Sequence, residues 1–238
     1  MRRRISVEET TAPDEETTAP PCAEHSYDGG VVVEAAKALC DGVKLFTCTV
    51  CGHTYEETIP MTKSLKVLAI GNSFSVDAME HLAEILVKEG YSSFVLGNLY
   101  IGGCSLETHA RNIENDIPAY EYQVDAKALA MTSIKSALLC EDWDVVSVQQ
   151  VSSLSGIYDS YFPYIDTVIA EVRKYRPNAR IVFHRTWAYN YGSTHSAYVD
   201  YNNDTDLMDK MIADTTEKIA AKYAFDVIPC GVAVYRGY

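Results

Sequence analysis

Two sets of residues in this chain have the types and spacing of a chemical site. Cys22 and His25 form a Cys-x-x-His pair, and Cys48 and Cys51 form a Cys-x-x-Cys pair. A two-residue gap lets both side chains of a turn converge on one ion, and thiolate with imidazole suits tetrahedral zinc. A disulfide or a metal-free hairpin would use the same residues, and Cys40 and His53, which belong to no matched pair, are weaker alternates. The second set consists of small and polar residues that follow apolar runs. Asn72 and Ser73 follow LKVLAI, Gly102 and Gly103 follow residues 94–101, and Gln150 and Ser152 follow residues 144–149, which end on Gln149. Trp187 and Tyr189 close a fourth run that contains His184. A serine hydroxyl is a nucleophile once a base takes its proton, and backbone N–H groups and carboxamides can stabilise the oxyanion that results. Trp187 and Tyr189 have faces that can stack on a sugar.

These residues need a scaffold that brings strand ends together. From residue 65 onward apolar runs alternate with segments of helical period, the pattern of a parallel sheet covered by helices. The continuous apolar run at 65–70 reads as a strand buried on both faces, and 94–101, 144–149, 180–187 and 226–229 read as further strands. Helical spacing marks 77–89, 133–139, 164–175 and 206–223, and residues 120–131, which lack a clean period, read as an excursion or hairpin. The expected fold is therefore a three-layer α/β/α sandwich with a mainly parallel sheet of about five strands. In such sheets ligands bind beyond the carboxyl ends of the strands, where the second set of residues falls.

Composition limits the function classes. The chain has 238 residues, 47% of them hydrophobic and 22% charged, which is ordinary globular usage. With 20 basic against 33 acidic residues the formal charge is −13, so a partner bound through phosphates, nucleic acid above all, is disfavoured. No stretch reaches the roughly 18 apolar residues of a membrane span. Residues 1–21 repeat the phrase EETTAP and read as a solvated acidic Thr/Pro linker. Residues 22–60 read as a small zinc-ribbon-like module, with a hairpin of residues 43–47 and 54–59 around the Cys-Gly turn, and 65–238 as the main domain. Linker and module together suggest a secreted or cell-surface bacterial setting. Polar residues follow the basic start where an export signal would be apolar, which leaves the cytoplasm as the alternative.

Four blocks resemble the SGNH hydrolases, also called GDSL-like hydrolases, and are most like an uncharacterised bacterial branch. They are GNSFS with Ser73 in the nucleophile position, GGCSL at 102–106, WDVVSVQQVS at 143–152 and TWAY at 186–189. The resemblance implies a flavodoxin-like sheet and an esterase acting on small-molecule or carbohydrate esters, deacetylating carbohydrates among them, with no cofactor for catalysis. It implies that the N–H groups of Ser73 and Gly103 face the oxyanion, and that Gln149 or Gln150 stands where the family uses an Asn donor. Asn72, Gly102, Ser152, His184, Trp187 and Tyr189 would line the substrate. The family's base is a His shortly after an Asp beyond the fifth strand. Only VAVYRGY follows Gly231, which implies a truncated chain without its own base. A non-catalytic carbohydrate-binding or surface module and an acyltransferase are the other readings of the same fold.

Overall fold

The computed structural model describes residues 22, 24–36, 41–61 and 63–236. The linker at 1–21 and Cys40 lie outside the described residues. The chain divides into two compact units, Met1–Thr62 and Lys63–Tyr238.

The first unit is a three-stranded antiparallel sheet of β1 (Val31–Glu34), β2 (Gly42–Thr47) and β3 (Thr54–Ile59), in that order. β2 and β3 pair from Thr47–Thr54 outward, so the hairpin expected around the Cys-Gly turn forms, and β1 is an additional edge strand. The turn tightens where Gly52 N–H donates to Cys48 O, and Gly52 adopts φ +74°, a left-handed value that a side chain would strain.

The second unit contains a seven-stranded sheet. Its strands are β4 (Ser64–Gly71), β5 (Ser93–Tyr100), β6 (Tyr120–Val124), β7 (Lys127–Thr132), β8 (Val145–Val148), β9 (Arg180–His184) and β10 (Asp226–Ile228), ordered β10-β9-β8-β4-β5-β6-β7. The first five in that order are parallel, and β6 and β7 add an antiparallel hairpin at the edge. About five strands were expected, and the two more arise where residues 120–131 fold as the hairpin. In chain order the parallel strands run outward from β4 first to β5 and then the other way through β8, β9 and β10. The crevice beyond β4 and β8 is thus the point where strand order reverses.

The helices are α1 (Ser73–Glu80), α2 (Leu82–Lys88), α3 (Leu106–Glu114), α4 (Ile134–Cys140), α5 (Tyr164–Tyr175), α6 (Thr205–Tyr223) and α7 (Cys230–Arg236). Alternation along β4 assigns the two faces of the sheet. Leu68 and Ile70 pack with Leu106 of α3, Leu138 of α4, Ile165 of α5 and Ile219 of α6. Leu65 and Val67 pack with Leu86 of α2 and Met79 of α1. Full burial of each such aliphatic is worth about 1.5–3 kcal/mol, which fixes the register of the strand that carries the site. A single helix over 77–89 was expected. Instead the Asn72 side chain caps Phe74 N and starts α1 at Ser73, and the backbone leaves helical geometry at His81 (φ −105°, ψ 2°) before α2 begins. α3 begins directly after the GGCSL block and carries His109. Ser105, accepting from Thr108 N, is the cap that signals it. No helix among the described residues is long and apolar enough to cross a membrane.

Candidate functional site

β4 delivers Ser73 to the switch point as the first residue of α1. Ser73 is exposed, whereas Asn72 (1% exposed) is buried beneath it. Among the described residues neither the hydroxyl nor the backbone N–H of Ser73 meets a hydrogen-bond partner, so both are available to a ligand at the positive end of the helix. Gly71, just before, must be glycine. A Cβ there would stand 2.6 Å from Ser75 Oγ and 3.0 Å from Gln149 Cδ. Gly71 opens the GNSFS block, whose sequence reading gave a role to Ser73 and not to this glycine.

The neighbouring strand ends are tied together through Asn72. Its Oδ1 accepts from Phe74 N (3.1 Å) and from Gln149 Nε2 (2.7 Å), while its Nδ2 donates to Cys104 O (2.9 Å). One side chain thus joins the loop after β4, the loop after β5 that carries Gly102 and Gly103, and the end of β8. Gly103 is exposed with φ +64°, a conformation open to glycine, which turns the backbone of that loop. Gln149 Oε1 faces His184 Nδ1 at 2.7 Å, completing a buried chain from β9 through β8 to Asn72.

The two glutamines therefore differ. Gln150 is 1% exposed, its Oε1 accepts from Leu106 N (3.0 Å) and Val151 N (2.9 Å), and its Nε2 donates to Ser160 O (3.2 Å). Its Nε2 also faces Ser160 Oγ at 3.4 Å, so Gln150 braces α3 against the loop after β8. Gln149 has given only one of its two amide hydrogens, to Asn72. Ser152 Oγ lies 3.1 Å from Tyr189 Oη, and Trp187 meets Phe74 edge-on at 4.2 Å between ring centroids. Phe74, Trp187, Tyr189 and residues 190–194 line an open groove beside Ser73.

No histidine among the described residues bonds Ser73. His184 is 2% exposed and its Nε2 is buried without a partner. His109 (1% exposed) faces Tyr120 Oη at 2.8 Å and Cys104 Sγ at 3.5 Å, and its Nε2 is likewise unpartnered. Burial pushes both imidazoles down to about 4. Both are thus neutral when folded and protonate more readily unfolded, so the unfolded chain binds more protons between the two pKa values. Stability is full above about pH 6.5 and falls as pH drops from there toward 4, by up to roughly 3 kcal/mol per imidazole. The urea midpoint is expected to be clearly lower at pH 4.5 than at pH 7.5, and His109→Gln is expected to flatten that dependence. An unchanged slope would place the effect elsewhere.

Asn72 gives a second check on the scaffold. Asn72→Asp keeps the acceptor for Phe74 N but sets a buried carboxylate against Cys104 O, where an N–H now stands. The expected cost is about 2–3 kcal/mol, read as a lower urea midpoint. A wild-type midpoint would show that the tie between the loops carries no stability.

In the first unit, Cys22, His25, Cys48 and Cys51 place one ligand atom each within 4.8 Å of the others and could hold a metal ion. Cys22 Sγ and Cys48 Sγ are 3.9 Å apart, and Cys51 Sγ is 3.3 Å from His25 Nδ1. These are the edges of a ligand tetrahedron, whereas a disulfide needs sulfurs about 2.05 Å apart. The N–H groups of Cys51, first, and Val50 hold the Cys48 thiol down to about 5, while burial and the neighbouring thiols push Cys22 up to about 11. His53 stacks on His25 at 4.6 Å and faces Tyr27 Oη at 2.9 Å, so it packs behind the cluster and is not one of the four.

A family model described as a domain of unknown function, DUF4886, matches residues 66–238. The chain is similar to a DUF4886 family protein from Bacteroides uniformis, with 39% identity and a TM-score of 0.68, over 72% of this chain and 69% of that one. It is also similar to a member of the lipolytic protein G-D-S-L family from Veillonella parvula, with 14% identity and a TM-score of 0.43, over 73% of this chain and 81% of that one. That second likeness is too remote to carry residue roles. Among curated proteins none matches the chain.

Proposed function

The chain belongs to the DUF4886 family, and from that premise and the geometry at its strand ends we propose that the second unit is a serine hydrolase of small esters with Ser73 as nucleophile. The observation that carries this reading is an exposed Ser73 whose hydroxyl and N–H are both unengaged, at a helix start in the switch-point crevice. Its support from the sequence is the order of the four blocks that resemble SGNH hydrolases. In the reaction Ser73 Oγ attacks the ester carbonyl carbon and its proton passes to a general base. The oxyanion accepts from the N–H groups of Ser73 and Gly103, with the second amide hydrogen of Gln149 nearest in chemistry to a third donor. Collapse expels the alcohol, which takes the proton, and water then releases the acid from the acyl-serine. The test is covalent capture. A fluorophosphonate should lose fluoride and leave its phosphonyl group on Ser73, located by peptide mass, and labelling only at other residues would refute the assignment.

One observation favours a second reading. Among the described residues no imidazole reaches Ser73, which suits a module that keeps the fold and binds esters or saccharides without turning them over. Retained ligand binding with no labelling of Ser73 would select it. For the first unit we propose zinc as the ion. Three thiols and an imidazole form a soft, tetrahedral donor set, and backbone N–H groups aimed at Cys48 favour its thiolate.

A further inference from the structure

The open groove beside Ser73 has a volume of about 510 Å3 and begins at Phe74, the residue after the nucleophile. Its two tyrosines, Tyr189 and Tyr191, are anchored through their hydroxyls. Tyr189 bonds Ser152 through its hydroxyl and stacks on His195 at 4.5 Å. Tyr191, 63% exposed, donates its hydroxyl to Asp206 Oδ1 at 2.7 Å, and Tyr235 donates to the same oxygen at 2.6 Å. Asp206 lies in the first turn of α6, which Asp204 caps, so the shared acceptor stands on a rigid element. The hydroxyls of Tyr235 and Tyr191 hold the Asp206 carboxyl below its usual range, so it stays an acceptor at neutral pH.

An exposed tyrosine normally swings. Here its hydroxyl is spent on a fixed carboxylate, which holds the ring in place before any ligand arrives and reduces the ordering cost of stacking on it. Aromatic faces carry partial negative charge and attract the C–H faces of a pyranose. Charge narrows the class further. Asp200 and Asp204 add negative potential at Tyr189 and Tyr191, and Arg185 is occupied by Asp209 at 2.9 Å. Anionic polymers are disfavoured there, while hydroxyl-rich neutral ligands find Ser193 and Thr194 in the lining.

We propose that this groove is a subsite for the saccharide portion of a neutral, ester-bearing carbohydrate, with Tyr191 as a platform set by Asp206. The claim that the sugar carries the scissile ester rests on the Ser73 reading, whereas binding of the sugar does not. The protein has two tryptophans; Trp143 is 3% exposed, so saccharide-dependent emission changes report Trp187. The experiment titrates the Ser73→Ala protein with cellohexaose and xylohexaose and uses polygalacturonate as the anionic comparison. A saturable emission change is expected with a neutral oligosaccharide. Tyr191→Ala should weaken it about tenfold, and Tyr191→Phe about threefold, because the ring remains but its tether is lost. The exposure of Tyr191 keeps both changes away from the core. No emission change with either neutral oligosaccharide, wild-type affinity in Tyr191→Ala, or tighter binding of polygalacturonate would each overturn the proposal. Because the titration is made without the Ser73 hydroxyl, its failure leaves covalent capture at Ser73 standing, and failed capture leaves a positive titration standing.

Discussion

Replacing Ser73 by Ala is expected to lower ester hydrolysis by the chain to the buffer background, because the acyl intermediate forms on the Ser73 hydroxyl. Gln149, Asn72 and His184 are bonded to one another in a buried chain, and carboxamides do not attack esters. Wild-type acylation gives a second readout of the same hydroxyl. Ser73 has no hydrogen bond to a histidine among the described residues, so its acylation should be slow and should respond to base added from outside. Incubation with p-nitrophenyl acetate and increasing free imidazole is expected to speed acetylation of Ser73, read as acetyl mass gain on the peptide that contains it. Reading the peptide excludes the hydrolysis that imidazole performs by itself. Wild-type turnover in Ser73→Ala would end the serine mechanism. Acetylation that ignores imidazole would mean that a base already serves the hydroxyl.

Metal removal should have the second large effect. Among its described residues the first unit has little core of its own. β1 is exposed along its whole length, with Val31 65%, Val32 53% and Val33 53% exposed, and β3 is exposed in all but its last residue. Cys48, 2% exposed, is its buried hydrophobic residue among those described, and it is a member of the four-ligand cluster. A sheet this thin cannot offset the conformational entropy of folding by apolar burial, so metal–ligand bonds must supply most of the difference. Structural zinc contributes about 10–16 kcal/mol in comparable small modules, enough to decide whether the unit folds. Chelation with 1,10-phenanthroline, or the double change Cys48→Ser and Cys51→Ser, is expected to collapse the amide chemical-shift dispersion of residues 22–61. Metal analysis should find one zinc per chain in the wild type and none in the double variant. A unit that stays folded without metal, with a mass showing two hydrogens lost to a disulfide, would overturn the assignment.

Much of the fold was legible because parallel strands buried on both faces must be continuous apolar runs. LKVLAI is such a run, and Ser64–Gly71 is the central strand. The helix at Tyr164–Tyr175 was equally plain, since its apolar period ends just before Pro177. The edge hairpin was visible only as a lapse of period, because β6 and β7 are half-buried and exposed strands with weak patterning. The helix start at Ser73 was hidden for another reason. It depends on the Asn72 side chain choosing Phe74 N, and Asn is as common in turns as in caps.

The sequence by itself determined which residue types reach each strand end, and that Cys22 with His25 and Cys48 with Cys51 are each spaced to share one ion, because both follow from short-range chain geometry. Only the tertiary structure separated Gln149 from Gln150. Adjacent residues at a strand end point in opposite directions, so one meets Asn72 and His184 while the other braces Leu106 and Ser160. It alone brought Tyr191 and Tyr235 to one oxygen of Asp206, from positions 15 and 29 residues away along the chain. Contacts across such separations depend on how whole elements pack, and no local pattern records them.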